Sequence, residues 1–264
     1  MLHPYVNIAV KAARRAGNII TRSLEKWDSV KVSEKGLNDL VTTIDKACEA
    51  DIIETIRRAY PSHGILGEES GYAAGDDTVW VIDPLDGTMN FVHGYPQYAV
   101  SIGIRHKGQY EHGVIYDPLT QDLYTASRGF GAQLNGKRIR ASACPGLTGA
   151  LLSTGFPYTA KGRADALDKH LAVFKRVYQA CADVRYSGSA ALNLAYVASG
   201  KLDGYWQVEL KEWDMAAGII LVSEAGGFVS DFQGGMDFQL GNTIVAGAPK
   251  VHQAIVEMLG PLVS

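Results

Sequence analysis

The stretch "VWVIDPLDGTMNF", Val79 to Phe91, most narrows what this chain can become. Four residues suited to burial, Val79 to Ile82, run straight into Asp83-Pro84-Leu85-Asp86-Gly87-Thr88. A plain turn needs one Asp, Pro or Gly. Here all three residue types crowd the end of a core strand. Asp83 and Asp86 each offer carboxylate oxygens. Pro84 fixes its own φ and removes a backbone donor. The Leu85 carbonyl lies between the two acids, and Gly87 allows close backbone approach to a ligand. If Thr88 opens a helix, the Gly87 and Thr88 amides form an anion seat.

Further acids stand at element ends: Asp45, Glu68 and Glu69 in "ILGEES", and Asp214 in "WDMAAG". Each has an ordinary explanation by itself. Asp45 and Asp214 suit the first turn of a helix, Glu68-Glu69 suits a solvated surface, and Asp83 suits an Asx turn. Brought together, they form a like-charge cluster that needs a cation. An all-oxygen set without nearby His or Cys matches Mg2+, which also binds substrate phosphate.

The surrounding pattern is α/β. Apolar residues recur at helical spacing from Tyr5 to Trp27, a loop follows over 28–39, and "LVTTIDKACEADIIETIRRAYP" predicts a second helix. Thr42 and Asp45 have capping-box spacing. Short alternating runs after residue 98, with turns at Lys107-Gly108, Asp117-Pro118 and Asn135-Gly136, predict antiparallel hairpins. "ACPGLTG" marks a boundary between an α+β part, 1–146, and a layered α/β part, 147–264. The second part reads as strands at "ALLSTGF", "GYWQV", "FVSDF" and "NTIVAG" alternating with four helices.

Over 264 residues, 47% hydrophobic and 20% charged residues describe an ordinary globular protein. A net charge of -3 advertises neither nucleic acid nor anionic membrane in bulk. Cys48, Cys144 and Cys181 are too few and too dispersed for a disulfide framework or zinc spacing. With no signal-like start and no long apolar run, a cytoplasmic protein without membrane contact is expected.

The order of "DLVTTID" (39–45), "GEES" (67–70), "WVIDPLDGTMNF" (80–91) and "WDMAAG" (213–218) resembles the inositol monophosphatase family. The resemblance runs through "TGFP", "GSAALNLAYVASGKLDGYW" and "SEAGG", and both chain ends look like its bacterial SuhB-type members. It implies a sugar phosphatase fold and a Mg2+-dependent, lithium-sensitive phosphomonoesterase. The substrate would be inositol 1-phosphate or a related polyol or sugar phosphate, attacked by a metal-activated water. By the same resemblance, Glu68, Asp83 and the Leu85 carbonyl hold one Mg2+, and Asp83, Asp86 and Asp214 a second. Thr88, set by Asp45, and Glu68 orient the water. Asp86, Gly87, Thr88, Ala190 and Gln207 face the substrate, and Glu69 supports from behind.

Met89 stands where a second Thr is usual. Gln207 replaces a Glu that receives a sugar hydroxyl, which weakens the case for inositol phosphate itself. Glu212 is expected to be an exposed carboxylate without a role. His93, His106 and His112 are expected at the surface or in turns, Trp80 and Trp213 in packing, and Lys35 in a solvated loop. The resemblance also implies a homodimer. SuhB-type proteins associate with RNA polymerase and antitermination complexes, so a binding role through Arg138 to Arg140 is the alternative. Fructose-bisphosphatase or nucleotide 3′-phosphatase activity on the same scaffold is another.

Overall fold

The computed structural model describes residues 2–24, 32–36, 39–156, 164–238 and 242–263, with backbone alone for 32–41, 164–166 and 260–263. The "TGFP" proline, Pro157, and the Lys35 side chain lie outside what is described.

Two helices open the chain, α1 (Pro4–Leu24) and α2 (Thr43–Ala59), with a small hairpin of β1 (Val32–Gly36) and β2 (Asp39–Thr42) between them. The expected loop is therefore partly strand, and α2 begins three residues later than its apolar pattern suggests. The stop is physical. Thr42 is extended (φ -111°, ψ 165°), its hydroxyl accepts from the Ile44 and Asp45 amides, and the Asp45 carboxylate accepts from the Thr42 amide at 2.8 Å.

An eight-stranded sheet follows. It comprises β3 (Gly64–Gly67), β4 (Gly71–Ala73), β5 (Thr78–Asp86), β6 (Ala99–His106), β7 (Gln109–Asp117), β8 (Asp122–Ser127), β9 (Gly131–Leu134) and β10 (Lys137–Arg138). Their spatial order is β10-β9-β8-β7-β6-β5-β3-β4. All neighbours are antiparallel except β3 and β5, which run parallel. The expected hairpin turns carry the positive φ they require: Lys107 and Gly108 at 49° and 81°, Asn135 and Gly136 at 51° and 77°. A short helix, α3 (Thr88–Val92), leaves the end of β5.

The second sheet holds β11 (Leu151–Thr154), β12 (Asp183–Arg185), β13 (Gly204–Gln207), β14 (Phe228–Ser230) and β15 (Ile244–Gly247), ordered β12-β11-β13-β15-β14. Its helices are α4 (Ala164–Ala180), α5 (Ala190–Ala198), α6 (Glu212–Glu224) and α7 (Pro249–Val263). Helices α1 and α2 cover one side of the large sheet, α5 and α6 lie between the sheets, and α4 and α7 pack together, with α7 against the small sheet. One apolar cluster joins Ile115, Tyr124 and Ala132 of the large sheet to α5, α6 and Ile244 of the small one.

Glycine sets how closely α6 approaches. Gly103 and Gly113 are paired across β6 and β7. A Cβ at Gly103 would lie 2.5 Å from the Ala216 Cβ, and one at Gly113 would lie 2.6 Å from the Ala217 carbonyl. Bare backbone therefore lets the start of α6, with Asp214, sit down on the large sheet.

Trp80 is packing, as expected: it is fully buried and its indole donates to His63 Nδ1 at 2.9 Å. His112 departs from expectation. It is buried within β7, hydrogen-bonds Ser127 at 2.9 Å and stacks on His3. No described helix is long and apolar enough to cross a membrane.

Candidate metal centre

Side chains on a strand alternate faces, so Asp83 and Asp86, three residues apart, should point in opposite directions. The register shows how this is avoided. Asp83 pairs with Ser101 and Asp86 with Ala99, three steps on β5 against two on β6. One extra residue at Pro84-Leu85 forms a bulge, which re-aims the strand end. Pro is tolerated there because a bulge leaves a ladder position unpaired. Both acids then share one side with Asp214, and ligand oxygens of the three lie within 4.8 Å of one another.

Glu68 joins them through β3. Gly67 pairs with Ile82 in parallel register, and the Glu68 amide donates to the Ile82 carbonyl at 3.1 Å. Glu68 therefore emerges beside Asp83. Burial, then Glu68, Asp86 and Asp214, hold the Asp83 carboxyl well above the ordinary range. Burial and then Asp86 do the same to Asp214. Asp86 is pushed up to about 6 by burial, against hydrogen bonds from Ser189, Ala191 and Ala190. Crowded, desolvated carboxylates of this kind call for a cation. The donors are all oxygens, so the site fits a hard ion such as Mg2+.

Asp86 has a structural role that the sequence did not suggest. Its carboxylate accepts from the Ser189 hydroxyl, from the Ala191 amide at 2.8 Å and from the Ala190 amide at 3.3 Å. It therefore ties the large sheet to the first turn of α5. Ala190 is thus brought to the site through its backbone. Asp214 is the third residue of α6, and its carboxylate accepts from the Lys211 amide at 2.6 Å.

Asp45 and Thr88 meet. Asp45 is fully buried. The Thr88 hydroxyl donates to Asp45 Oδ1 at 2.8 Å and lies 3.1 Å from the Leu85 carbonyl. Leu85 is buried, and its amide donates to Asp83 Oδ1 at 3.0 Å. Gly87 precedes α3 with φ 95°, and a Cβ there would meet the Gln97 carbonyl at 2.7 Å. Only glycine fits both the conformation and the space.

Gln207 ends β13 and is buried; its Oε1 accepts from the Tyr205 hydroxyl at 2.5 Å. A Cβ at Gly155 would sit 1.9 Å from that oxygen, so the side chain lies flat over Gly155. Glu212 is not an idle exposed carboxylate. It is half-buried, pairs with Arg105 at 3.2 Å and accepts from the Tyr110 hydroxyl at 3.1 Å. Met89 is exposed. Sequence reasoning missed Glu49, a buried carboxylate one turn after Asp45 on α2. The only signal was i,i+4 spacing on one helix face.

The inositol monophosphatase family model matches residues 1–262. The Nus factor SuhB of Escherichia coli K12 is 52% identical over 257 residues, covering 97% of this chain and 95% of that protein. The crystal structure of the extragenic suppressor protein suhB from Bartonella henselae superposes with a TM-score of 0.93 at 39% identity, covering 97% and 98% of the two chains. The inositol monophosphatase of Anabaena (Nostoc) sp. gives 0.86 at 37%, covering 97% and 95%. With its motifs, its fold and its full length in agreement, the chain belongs to the inositol monophosphatase family.

Proposed function

We propose that this protein is a Mg2+-dependent phosphomonoesterase acting on inositol 1-phosphate or a related polyol or sugar phosphate. The observation that carries the reading is the convergence of Asp83, Asp86 and Asp214 beside the Thr88–Asp45 pair. Glu68, Asp83 and the Leu85 carbonyl would hold one Mg2+, and Asp83, Asp86 and Asp214 another. Bound Mg2+ supplies charge neutralisation for the phosphate and lowers the pKa of water.

The chain's own residues do the positioning. Thr88 has one hydroxyl hydrogen and two acceptors in reach, Asp45 and Leu85. Committed to Asp45, that hydrogen leaves the Thr88 lone pairs to accept from a water, and Glu68 accepts the water's other hydrogen. The Leu85 carbonyl is then left for a cation. The Gly87 and Thr88 amides at the start of α3 would bind phosphate, and the Ala190 backbone and Gln207 would face the alcohol. The two parts of the chain divide the work. Residues 1–146 supply Asp45, Glu68, Asp83, Leu85, Asp86 and Thr88, and residues 147–264 supply Asp214, Ala190 and Gln207.

A substrate panel with Mg2+ tests this reading: inositol 1-phosphate, glycerol 2-phosphate, fructose 1,6-bisphosphate and a nucleoside 3′-phosphate. Turnover highest on the polyol esters is expected. Turnover confined to the bisphosphate or the nucleotide would replace the substrate class, and none on any ester would overturn the reading.

A second reading has its own support. A relative of 52% identity carries the name Nus factor, and Lys137, Arg138 and Arg140 are exposed at the β10 edge. A contact with transcription machinery through that edge requires no turnover. Asp214→Asn separates the two: it abolishes hydrolysis and leaves such binding intact.

A further inference from the structure

The turn that carries Glu68 is gripped from outside the carboxylate cluster. Glu49 is 2% exposed, on α2. Its Oε2 accepts from the Glu69 amide at 2.9 Å and its Oε1 from the Ser70 amide at 2.8 Å. The same carboxylate fills the space beside Gly67, where an added Cβ would lie 2.6 Å from both Cδ and Oε2. The residue before Glu68 and the two after it therefore all touch one buried carboxylate. Glu68's own amide is fixed separately on the Ile82 carbonyl, next to Asp83.

We infer that Glu49 is a positioning residue for the cation site, clamping the 67–70 turn so that the Glu68 carboxylate is delivered beside Asp83. The inference rests on the metal-site reading above. Its physical basis is specific. Both donors are amide N–H groups, and a carboxylate accepts at both oxygens. A glutamine keeps one acceptor and sets an NH2 group against the other amide, whichever way it is turned. One buried donor is then unpaired, and the turn is released at that point. The clamp also explains the glycine at 67, since the carboxylate occupies the volume a side chain would need. Asp45 and Glu49, one helical turn apart on α2, thereby hold Thr88 and the Glu68 turn from the same support.

Loss of a group that orients a metal ligand typically weakens metal binding about 10–100-fold. Full-length wild type, Glu49→Gln, Gly67→Ala and the double variant are compared by calorimetric titration with Mg2+ after chelation. Circular dichroism and melting in EDTA report the fold. Glu49→Gln is expected to raise the Mg2+ dissociation constant at least about tenfold, with kcat returning towards wild type at saturating Mg2+. Gly67→Ala keeps the Glu49 charge but displaces its carboxylate, so it weakens Mg2+ in the same direction and carries the test should Glu49→Gln not fold. The double variant is expected to be no weaker than the worse single one, because one clamp is broken twice. Wild-type Mg2+ affinity in folded Glu49→Gln, or in Gly67→Ala should Glu49→Gln not fold, overturns the inference while the metal site stands, as do fully additive losses. Wild-type protein that binds no Mg2+ overturns the metal-site reading and this inference with it.

Discussion

Thr88 Oγ1 lies 2.8 Å from Asp45 Oδ1, a contact that joins residues 43 apart in sequence. Asp45 is fully buried at the start of α2 and also caps that helix through Thr42. The pair is therefore held by a fixed element, with little freedom to reorganise. Thr88→Val removes the hydroxyl and nearly keeps the shape. We expect kcat to fall by about 10²–10³, the scale for a group that positions a reacting proton, with the melting temperature changed by only a few degrees. Steady-state kinetics and a thermal melt check both, and an unchanged kcat removes Thr88 from the reaction.

Asp83→Asn should separate stability from activity. In the metal-free protein Asp83 is buried among Glu68, Asp86 and Asp214, which disfavours its charge. The hydrogen bond from the Leu85 amide goes to Oδ1, an acceptor that Asn retains. The variant is expected to be more stable than wild type in EDTA by about 1–2 kcal/mol, as for other strained functional sites, and so to melt higher. Added Mg2+ should raise the wild-type melting temperature and leave the variant's almost unmoved. A lower melting temperature in EDTA would show that the carboxylates do not repel.

Gln207→Glu restores the anionic acceptor that the family pattern leads one to expect. The Tyr205 hydroxyl donates to Oε1, and a carboxylate accepts that bond equally well. A charged acceptor bonds a sugar hydroxyl more strongly than an amide does. KM for inositol 1-phosphate should fall about 3–10-fold with kcat little changed, since the contact is felt alike in ground and transition states. Equal KM values for both proteins, with glycerol 2-phosphate as the control, would remove Gln207 from substrate recognition.

Burial lowers the His112 pKa from its ordinary value to about 4, helped by His3 stacked against it. His63, His170 and His252 are lowered in the same direction, each chiefly by burial. These groups are neutral in the folded chain and bind protons more readily once unfolded. Their contribution to stability is therefore complete above the unfolded pKa near 6.5 and declines as pH falls from there towards 4. His112 alone contributes up to about 3 kcal/mol of that decline. Urea unfolding at pH 7 and pH 5 should give a smaller difference for His112→Gln than for wild type. Equal differences would mean that folding does not lower the His112 pKa.

Local signals in the sequence carried the elements that frame the site. The Thr42–Asp45 capping box, the Asn135-Gly136 turn and the helix opened by "WDMAAG" all follow from spacing a few residues long. What stayed hidden depends on partners distant in sequence. The bulge at Pro84-Leu85 is visible only against β6. The grip of Asp86 on α5 spans more than 100 residues, and Glu49 reaches amides 20 and 21 residues away. Strand β12 has three residues and owes its form to parallel pairing with β11, which its own composition does not announce.

Whether bound Mg2+ drives the reaction is tested most directly by hydrolysis of inositol 1-phosphate by the purified chain after exhaustive chelation, followed by Mg2+ add-back, with Asp214→Asn in parallel. Asp214 is the carboxylate that α6 contributes to the trio. No turnover is expected in the chelated protein, full recovery with Mg2+ in wild type, and little recovery in Asp214→Asn. Full turnover in metal-free wild-type protein would contradict it.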